Sequence, residues 1–471
     1  MLNEKELDRV LQQIIERWGI PGLAVGLVQG GDIVYARGFG VQSLLTRAPV
    51  TLDSIFCVAS ITKCFVAAAI MQLVEGKQID LDAPLVQYLP YFQMDDERYR
   101  QITVRQMLSH TSGMPDLDEA EYDELVNHPE WDDDAAERFV RGLKKRKLVA
   151  DPGERLSYSN IAYNVLGDLL AKITGQTFER AMREQLLISA GMPNSTYLLD
   201  EVPHDRLAVP HLRAPEMVVN PIYPYHRADA PASFLHSTVL DMCHWGITCL
   251  KRDLLTPPSY DQMWTPVADW NTPRPSMYEQ VGLGWTLGHY KGERTISHGG
   301  MGFGWSDFFL LLPEKNCAAV VLSVEESQAR TRLVHAAADT LLGCKPQAGA
   351  VSWMVPISQA LVEGGIQAAY ARYEGIKASD GDEYSFDEED MIGLVYQLQS
   401  LKKSRRAIEI LELNIHAFPE QMESYTRLAG IHLQKGDPAH AEKYLVKALT
   451  IQPDHVPTVK MLEKIRSMKY G

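Results

Sequence analysis

The sequence predicts an α+β protein in which helices flank one antiparallel sheet, a helical lobe is inserted between the strands, and an all-α module follows. Strand-like segments occur in two groups, at residues 22–37 and 282–324, and the pattern between about 79 and 270 is mainly helical. Short apolar runs bounded by turn residues are typical of strands, so the two groups would complete one sheet. The third observation is a repeat with a period of 34 residues after residue 388, which indicates stacked helical hairpins.

The early elements follow from local patterns. Residues 1–19 have apolar side chains at helical spacing, which indicates an amphipathic helix with an apolar face made of Leu7, Val10, Leu11, Ile14 and Ile15. Residues 22–28 and 33–37 flank a Gly-Gly turn and indicate a β-hairpin. The apolar, alanine-rich residues 64–74 indicate a buried helix.

The later elements enclose the lobe. A proline and a glycine keep residues 148–160 in a loop, after which a helix is expected at 161–174. The strands of the second group are expected at 282–287, 293–298, 305–312 and 318–324. A helix at 333–342 closes this part of the chain, and a pocket is expected at the seam between the sheet and the lobe.

Composition excludes several classes of protein. A chain of 471 residues is too long for one core, so two or more domains are expected. The formal net charge of −15 argues against a partner that is a nucleic acid or an anionic membrane surface. No apolar run approaches 18 residues, and the charged first helix does not resemble a signal peptide, so no membrane span and a cytoplasmic location are expected.

Neither a metal nor a cofactor is expected. The six cysteines are scattered without a CxxC pair, which favours free, mostly buried thiols in a reducing compartment. Five histidines between residues 204 and 244 lack the spacing of a metal site and are interpreted as ordinary loop residues. The glycine-rich residues 299–304 lack the lysine of a phosphate-binding loop.

Ser60 and Lys63 form the motif S-x-x-K just before the alanine-rich helix. Residues three apart on a helix share one face, so the lysine amine can reach the serine hydroxyl. A lysine in an apolar site loses part of its charge and can activate such a hydroxyl as a nucleophile. Alone the motif is weak, because a small helix residue near a solvated lysine would show the same spacing, as Ser400 and Lys403 do.

Two further motifs supply partners. Tyr158 and Asn160, two apart in an extended segment, can face one cavity, with the tyrosine as a general base near the lysine and the asparagine orienting a substrate. His298 and Gly300 end a strand, where a backbone N–H can contribute to an oxyanion hole. The alternatives are a loop tyrosine before a helix-start asparagine, and a strand-end histidine before a flexible turn.

Together, S-x-x-K, Y-x-N about a hundred residues later and a late H-x-G resemble the serine β-lactamase and penicillin-binding-protein superfamily. The likeness is greatest to its branch of class C β-lactamases, D-amino-acid peptidases and carboxylesterases, and it extends over roughly residues 7–342. Other stretches share it, namely Ser109-His-Thr-Ser-Gly113, the residues 152–160 and Gly282-Leu-Gly-Trp285. The resemblance implies a β-lactamase/transpeptidase-like fold for residues 1–345.

The resemblance also implies roles for the site residues. Ser60 would be the acylated nucleophile, Lys63 and Tyr158 would exchange its proton, and Asn160 would position the substrate. Met301, just after His298 and Gly300, would lend its backbone N–H to the oxyanion hole. Many β-lactamases of this family have a lysine where this chain has His298, and a histidine is largely neutral at pH 7.

This difference puts efficient β-lactamase action in doubt, because a permanent cation that anchors a substrate carboxylate is lost. The implied activity is a cofactor-free serine hydrolase of the carboxylesterase or D-amino-acid peptidase type. It would act on a small ester, amide or peptide through an acyl-Ser60 intermediate. The alternative is a non-catalytic member that binds a ligand or scaffolds an assembly.

The C-terminal residues indicate a separate helical module. Residues 346–387 are interpreted as a linker and a helix, and residues 388–471 as a helical domain similar to tetratricopeptide (TPR) repeats. Pro419 and Pro453, 34 residues apart, mark corresponding positions of the two copies. Because two repeats are fewer than usually stand alone, their apolar faces are expected to be covered by the catalytic domain, a second copy or a protein partner.

Overall fold

A computed structural model describes residues 2–213, 215–270, 276–379 and 383–470. The chain divides into two compact units. The first contains Met1–His211 and Val219–Ala348, and the second contains Leu212–Val218 and Gly349–Gly471. The second unit therefore includes a short segment contributed from within the first part of the chain.

The first unit is built on an eight-stranded antiparallel sheet. Its strands are, in order across the sheet, β2 (Asp32–Gly40), β1 (Gly22–Gln29), β12 (Cys317–Ser323), β11 (Trp305–Leu312), β10 (Glu293–Gly302), β9 (Thr286–Tyr290), β8 (Gln280–Val281) and β7 (Ala268–Asp269). The two predicted groups of strands meet where β1 pairs with β12, with Val25 opposite Val321. This pairing confirms that the early and late strands form one sheet. The other strands among the described residues are β3 (Phe56–Cys57), β4 (His211–Arg213), β5 (Met217–Val219), β6 (His236–Ser237), β13 (Val351–Ser352) and β14 (Tyr384–Ser385).

Helices flank this sheet and form the inserted lobe. In the first unit they are α1 (Glu4–Trp18), α2 (Thr62–Glu75), α3 (Val104–Leu108), α4 (Glu119–Asn127), α5 (Ala135–Gly142), α6 (Asn160–Thr174), α7 (Phe178–Met182), α8 (Ala230–Ser233), α9 (Val239–Lys251), α10 (Pro257–Met263) and α11 (Ala329–Leu341). The central strands β11 and β12 are buried along their whole length because helices cover the sheet. Helix α9 approaches β1 so closely that a Cβ on Gly26 would lie 2.4 Å from the Cys243 sulfur.

The predicted strand at 282–287 is wrong in its first four residues. Only Thr286 and the residues after it belong to β9, while β8 ends at Val281. Between them Gly284 has a positive φ of +79°, and a Cβ there would lie 2.3 Å from the Cβ of Ala67 on α2. The chain therefore turns over helix α2 at this point, in a conformation and a space that favour glycine.

The second unit is helical and begins earlier than the predicted repeat. Its helices are α12 (Met354–Lys377), α13 (Glu388–Ser400), α14 (Ser404–Ala417), α15 (Met422–Gln434), α16 (Pro438–Ile451) and α17 (Val456–Tyr470). Helix α12, which corresponds to the helix predicted between the linker and the repeat, packs its apolar side chains in one cluster with those of α13 and α14. Gly365, at φ +71°, interrupts its helical backbone. No helix among the described residues is long and apolar enough to cross a bilayer.

The apolar side chains of the repeat are buried within the second unit, which corrects the expectation that they need cover from elsewhere. Leu394, Leu398, Leu411 and Leu428 are at most 2% exposed and belong to the cluster that includes α12. Leu445 lies in a second cluster, which includes Leu462 and Ile465 of α17. Helices α12 and α17 supply the surface that two repeats alone would lack, because stacked hairpins bury their faces on their neighbours.

Candidate active site

Ser60 lies in a 3₁₀ turn, Ala59–Ile61, between β3 and α2. Every residue from 54 to 71 is buried except Ser60, which is partly exposed. The preceding Ala59 has a positive φ of +44°, a strained conformation for a residue with a Cβ, and such strain is common at functional sites. The buried segment thus presents one hydroxyl to the site. Ser60 precedes α2 and does not share its helix with Lys63, although the two side chains meet as predicted.

Lys63, in the first turn of α2, is fully buried. Its ammonium donates hydrogen bonds to Ser60 Oγ at 3.1 Å, to Asn160 Oδ1 at 2.7 Å and to the Ala232 carbonyl oxygen at 2.8 Å. Burial lowers the pKa of Lys63, and the carboxylates of Asp229 and Asp116 oppose this shift. Because desolvation disfavours the charged form, the amine can accept a proton from Ser60 more readily than an exposed lysine could.

Tyr158 lies beside this lysine, and its phenol stays protonated at neutral pH. Its ring centroid lies 5.0 Å from Lys63 Nζ, and the ring stacks on His110 at 4.1 Å. Burial raises the pKa of Tyr158, while the Ser60 hydroxyl lowers it. Removal from water therefore disfavours the tyrosinate that a general base at this position would require. The protonated phenol can instead pass a proton between groups at the site.

Asn160 is the first residue of α6, and Ser159 caps that helix by accepting a hydrogen bond from the Ala162 N–H. Its carboxamide is already engaged on both sides. The oxygen accepts from Lys63, while Nδ2 donates to Asp116 Oδ2 at 2.9 Å and to the Tyr122 hydroxyl at 2.8 Å. The structure therefore brings Asn160 to the site as a partner of the lysine, whereas the sequence suggested a partner of the substrate.

Strand β10 closes the site opposite Ser60. A Cβ on Gly300 would lie 2.4 Å from the Val58 carbonyl oxygen and 3.1 Å from the Ala59 Cβ, so only glycine allows this approach to the 3₁₀ turn. The following residue, Met301, is 43% exposed. The Arg330 guanidinium donates to the Gly300 carbonyl oxygen at 2.8 Å. Such an edge can offer backbone N–H groups to an oxyanion, as the H-x-G motif predicted.

His298 is 7% exposed, and its Nδ1 lies 2.8 Å from the Gly299 carbonyl oxygen. Burial lowers the pKa of His298 to about 3, and the positive charge of Lys63 adds to this effect. The imidazole is therefore neutral at pH 7, in the direction that the sequence predicted. The strand edge lacks at this position the permanent cation that a lysine would provide.

Three groups that support Lys63 and Asn160 were not predicted from the sequence, namely Asp116, Tyr122 and Asp229. Asp116 follows the Ser109–Gly113 stretch by three residues, which is the one signal that could have drawn attention to it. Tyr122 and Asp229 carry no local signal, because only the tertiary fold brings them to the site. Among the described residues, one cluster has a geometry that could hold a metal ion, formed in the second unit by His432, Asp437 and His440.

Comparisons with known proteins identify the family of this chain. A family model described as Beta-lactamase matches residues 7–342. Protein flp of Staphylococcus aureus (strain N315) is 24% identical over 340 residues, covering 71% of this chain and 65% of that protein. Unguisins hydrolase ungD' of Aspergillus campestris is 28% identical over 366 residues, covering 73% of this chain and 66% of that protein. The chain thus spans about 65% of the length of these curated relatives.

A solved structure shows the same architecture. The octameric penicillin-binding protein homologue from Pyrococcus abyssi matches with a TM-score of 0.65 at 27% identity, over 73% of this chain and 78% of that one. The family model covers most of the chain, and Ser60, Lys63 and the strand edge at Gly300 all lie within the matched residues. The chain therefore belongs to the Beta-lactamase family of serine hydrolases.

Proposed function

We propose that this protein cleaves an ester or an amide through an acyl-Ser60 intermediate. The observation that carries the proposal is the contact between Lys63 Nζ and Ser60 Oγ at 3.1 Å, with the serine as the one partly exposed residue of a buried segment. A serine hydroxyl becomes an activated nucleophile when a buried amine with a lowered pKa lies within hydrogen-bonding distance and can take its proton. The name of the relative ungD', a hydrolase, supports the same class of reaction.

In this mechanism the Ser60 oxygen attacks the substrate carbonyl carbon while Lys63 takes the hydroxyl proton. The backbone N–H groups of Ser60 and Met301 stabilise the negative charge that develops on the carbonyl oxygen. Tyr158 passes a proton to the leaving group as its bond to the acyl carbon breaks. A water molecule then attacks the acyl carbon and gives a proton to the same groups, which pass it to Ser60 Oγ as the bond between Ser60 and the acyl group breaks.

The substrates favoured are neutral esters and amides. His298 is uncharged, and the Arg330 guanidinium donates to the Gly300 carbonyl oxygen. An acidic substrate would therefore find no lysine at the strand edge to pair with its carboxylate. This proposal covers the carboxylesterase and D-amino-acid peptidase types of activity and disfavours efficient β-lactam hydrolysis.

A fluorophosphonate probe tests the nucleophile. Wild-type protein is expected to carry one label, on the peptide that contains Ser60, and Ser60→Ala to carry none. Ser400→Ala is a matched control, because Ser400 has the same S-x-x-K spacing but its hydroxyl donates to the Gln397 carbonyl oxygen at 2.9 Å. A label that survives in Ser60→Ala, or none in the wild type, would contradict the proposal and favour a non-catalytic binding protein.

We further propose that the second unit is a TPR-like docking module in a cytoplasmic protein. The 34-residue period supports this proposal, as does the packing of each helix from α13 to α17 against the next. Light scattering of the full chain distinguishes between two possible partners, a second copy of this chain and a different protein. A mass that is a multiple of 52.9 kDa indicates a second copy, while a mass of 52.9 kDa leaves a different protein as the partner.

A further inference from the structure

The half-buried Asp116 holds the start of helix α6 from a loop. Its Oδ1 accepts the backbone N–H of Asn160 at 3.0 Å, and its Oδ2 accepts from Asn160 Nδ2 at 2.9 Å. The same loop is tied to the helix a second time, because the Ser159 hydroxyl donates to the Pro115 carbonyl oxygen at 2.7 Å. Both carboxylate oxygens of Asp116 are thus directed at one residue, and that residue contacts Lys63.

Chemistry determines the orientation of the Asn160 carboxamide. An ammonium can only donate hydrogen bonds, so the atom 2.7 Å from Lys63 Nζ is the carboxamide oxygen. A carboxylate can only accept, so the atom facing Asp116 is the carboxamide nitrogen. The remaining Nδ2 proton is directed to the Tyr122 hydroxyl at 2.8 Å. Without Asp116 the carboxamide would keep its contacts with Lys63 and Tyr122, but it would lose one acceptor at Nδ2, and the Asn160 backbone N–H would lose its acceptor.

We propose that Asp116 is a positioning residue of the hydrolase, which holds Asn160 against Lys63 and keeps a negative charge near the lysine ammonium. The inference rests on the proposed function, because it assigns a role relative to the Lys63–Ser60 pair. The hydrogen bonds to the Asp116 carboxylate come from Asn160 and Leu117, so it acts on the Lys63–Ser60 pair through Asn160. The sequence marks it only as an aspartate that follows a glycine-containing loop.

Asp116 is one of several ionisable groups near the lysine. Burial raises the pKa of the Asp116 carboxyl, and the charge of Lys63 and the hydrogen bonds from Leu117 and Asn160 oppose that rise. The ionisable groups whose charges interact with Lys63 come from several elements and are Asp116, Asp229, Cys64, His110 and His298. The rings of Tyr158 and Tyr163 lie 5.0 Å and 5.5 Å from Nζ. Asp116 and Asp229 are the carboxylates among them, so removing either should lower the lysine pKa.

Two variants separate the roles of shape and charge. Asp116→Asn retains the size of the side chain but removes its charge, and Asp116→Ala also removes both acceptors. The matched control is Asp168→Asn. Asp168 is a buried carboxylate on helix α6, and its Oδ2 accepts a hydrogen bond from the Tyr91 hydroxyl at 2.6 Å. Asp168 is not among the groups whose charge affects Lys63. All variants are made in the full chain and compared by melting temperature.

The first readout is the pH profile of kcat/KM for a nitrophenyl ester. A lysine that must be neutral makes activity rise with pH through its pKa, so Asp116→Asn should move this rise to lower pH while Asp168→Asn leaves it in place. Asp116→Ala should reduce kcat on the order of 10²-fold, as expected when a catalytic group is misplaced by about 1 Å. Wild-type kcat/KM and an unmoved profile in Asp116→Asn would overturn the proposal.

The second readout does not depend on turnover. Nuclear magnetic resonance of protein labelled with ¹³C at lysine Cε reports the titration of Lys63, which is assigned by its loss in Lys63→Ala. The Lys63 signal should titrate at lower pH in Asp116→Asn than in the wild type, and an unchanged titration would refute the role of the charge. If the wild type titrates as expected but takes no label at Ser60, the proposed function fails while the effect of Asp116 on Lys63 stands.

Discussion

The effect of Gly300→Ala on activity can be estimated directly from the distances between the added Cβ and its neighbours. The added Cβ would lie 2.4 Å from the Val58 carbonyl oxygen and 3.1 Å from the Ala59 Cβ, whereas real Cβ contacts shorter than 3.0 Å essentially do not occur. Since Val58 and Ala59 immediately precede Ser60, the strand and this segment must separate by at least about 0.6 Å in a close-packed region. A shift of about 1 Å at a catalytic group can cost on the order of 10²-fold in rate.

The assay is kcat for a nitrophenyl ester, together with the rate of fluorophosphonate labelling and the melting temperature. Gly142→Ala is the control, because a Cβ there meets nothing within 4 Å at the end of α5. The control should keep wild-type kcat and gain up to about 1 kcal/mol of stability from the better helix propensity of alanine. A Gly300→Ala protein with wild-type kcat and labelling rate would refute the close approach of β10 to the nucleophile.

Three further predictions concern the groups around Ser60. Lys63→Ala and Tyr158→Phe should each reduce kcat by about 10²- to 10⁴-fold. Because the two side chains transfer the same proton, the loss of kcat in the double variant should be smaller than the product of the two single losses. A loss equal to that product would contradict the shared proton. His298→Lys should raise the kcat/KM ratio for an acidic over a neutral substrate with the same leaving group, and an unchanged ratio would mean that this strand end does not sense substrate charge. Burial lowers the pKa of Lys63, and activity requires the neutral amine. We therefore expect kcat/KM to rise with pH at a midpoint below the ordinary lysine pKa of about 10.4. A midpoint at or above that value would contradict a desolvated base.

Much of the fold was predictable because its signals are local. The apolar runs of β1, β11 and β12 and the helical spacing of α1 carry their own burial pattern, and the sheet order then follows from pairing two groups of strands. The break at Gly284 was not predictable, because the residue that demands it, Ala67, lies more than two hundred positions away. The chain adopts that turn to pass over α2, and no local pattern reports such a contact.

The site was predictable in its members and less so in their chemistry. Motif spacing identified Ser60, Lys63 and Tyr158, and the structure brings them together. The spacing could not reveal that burial raises the Tyr158 pKa, because burial depends on His110 and other groups that only the fold assembles. It also could not show that the Asn160 carboxamide is occupied by Asp116 and Lys63.

The second unit shows the same limit at the level of a domain. The 34-residue period is a local signal, but the cover supplied by α12 is not, because Trp353 and Ile357 precede the repeat and carry no repeat pattern. From the sequence alone, the apolar faces of the repeat were therefore expected to be covered by the catalytic domain, a second copy or a protein partner. The structure buries them within the unit, so the docking role rests on the repeat itself and not on an uncovered surface.

The most direct test of the acyl-Ser60 intermediate is rapid mixing of the protein with a nitrophenyl ester, followed by acid quenching and mass spectrometry. The mechanism predicts a burst of nitrophenol of about one equivalent per chain, with the acyl mass added to the peptide that contains Ser60. Ser60→Ala should show neither the burst nor the added mass. Turnover in the wild type with no trapped acyl group, or an acyl group on another residue, would contradict the central claim.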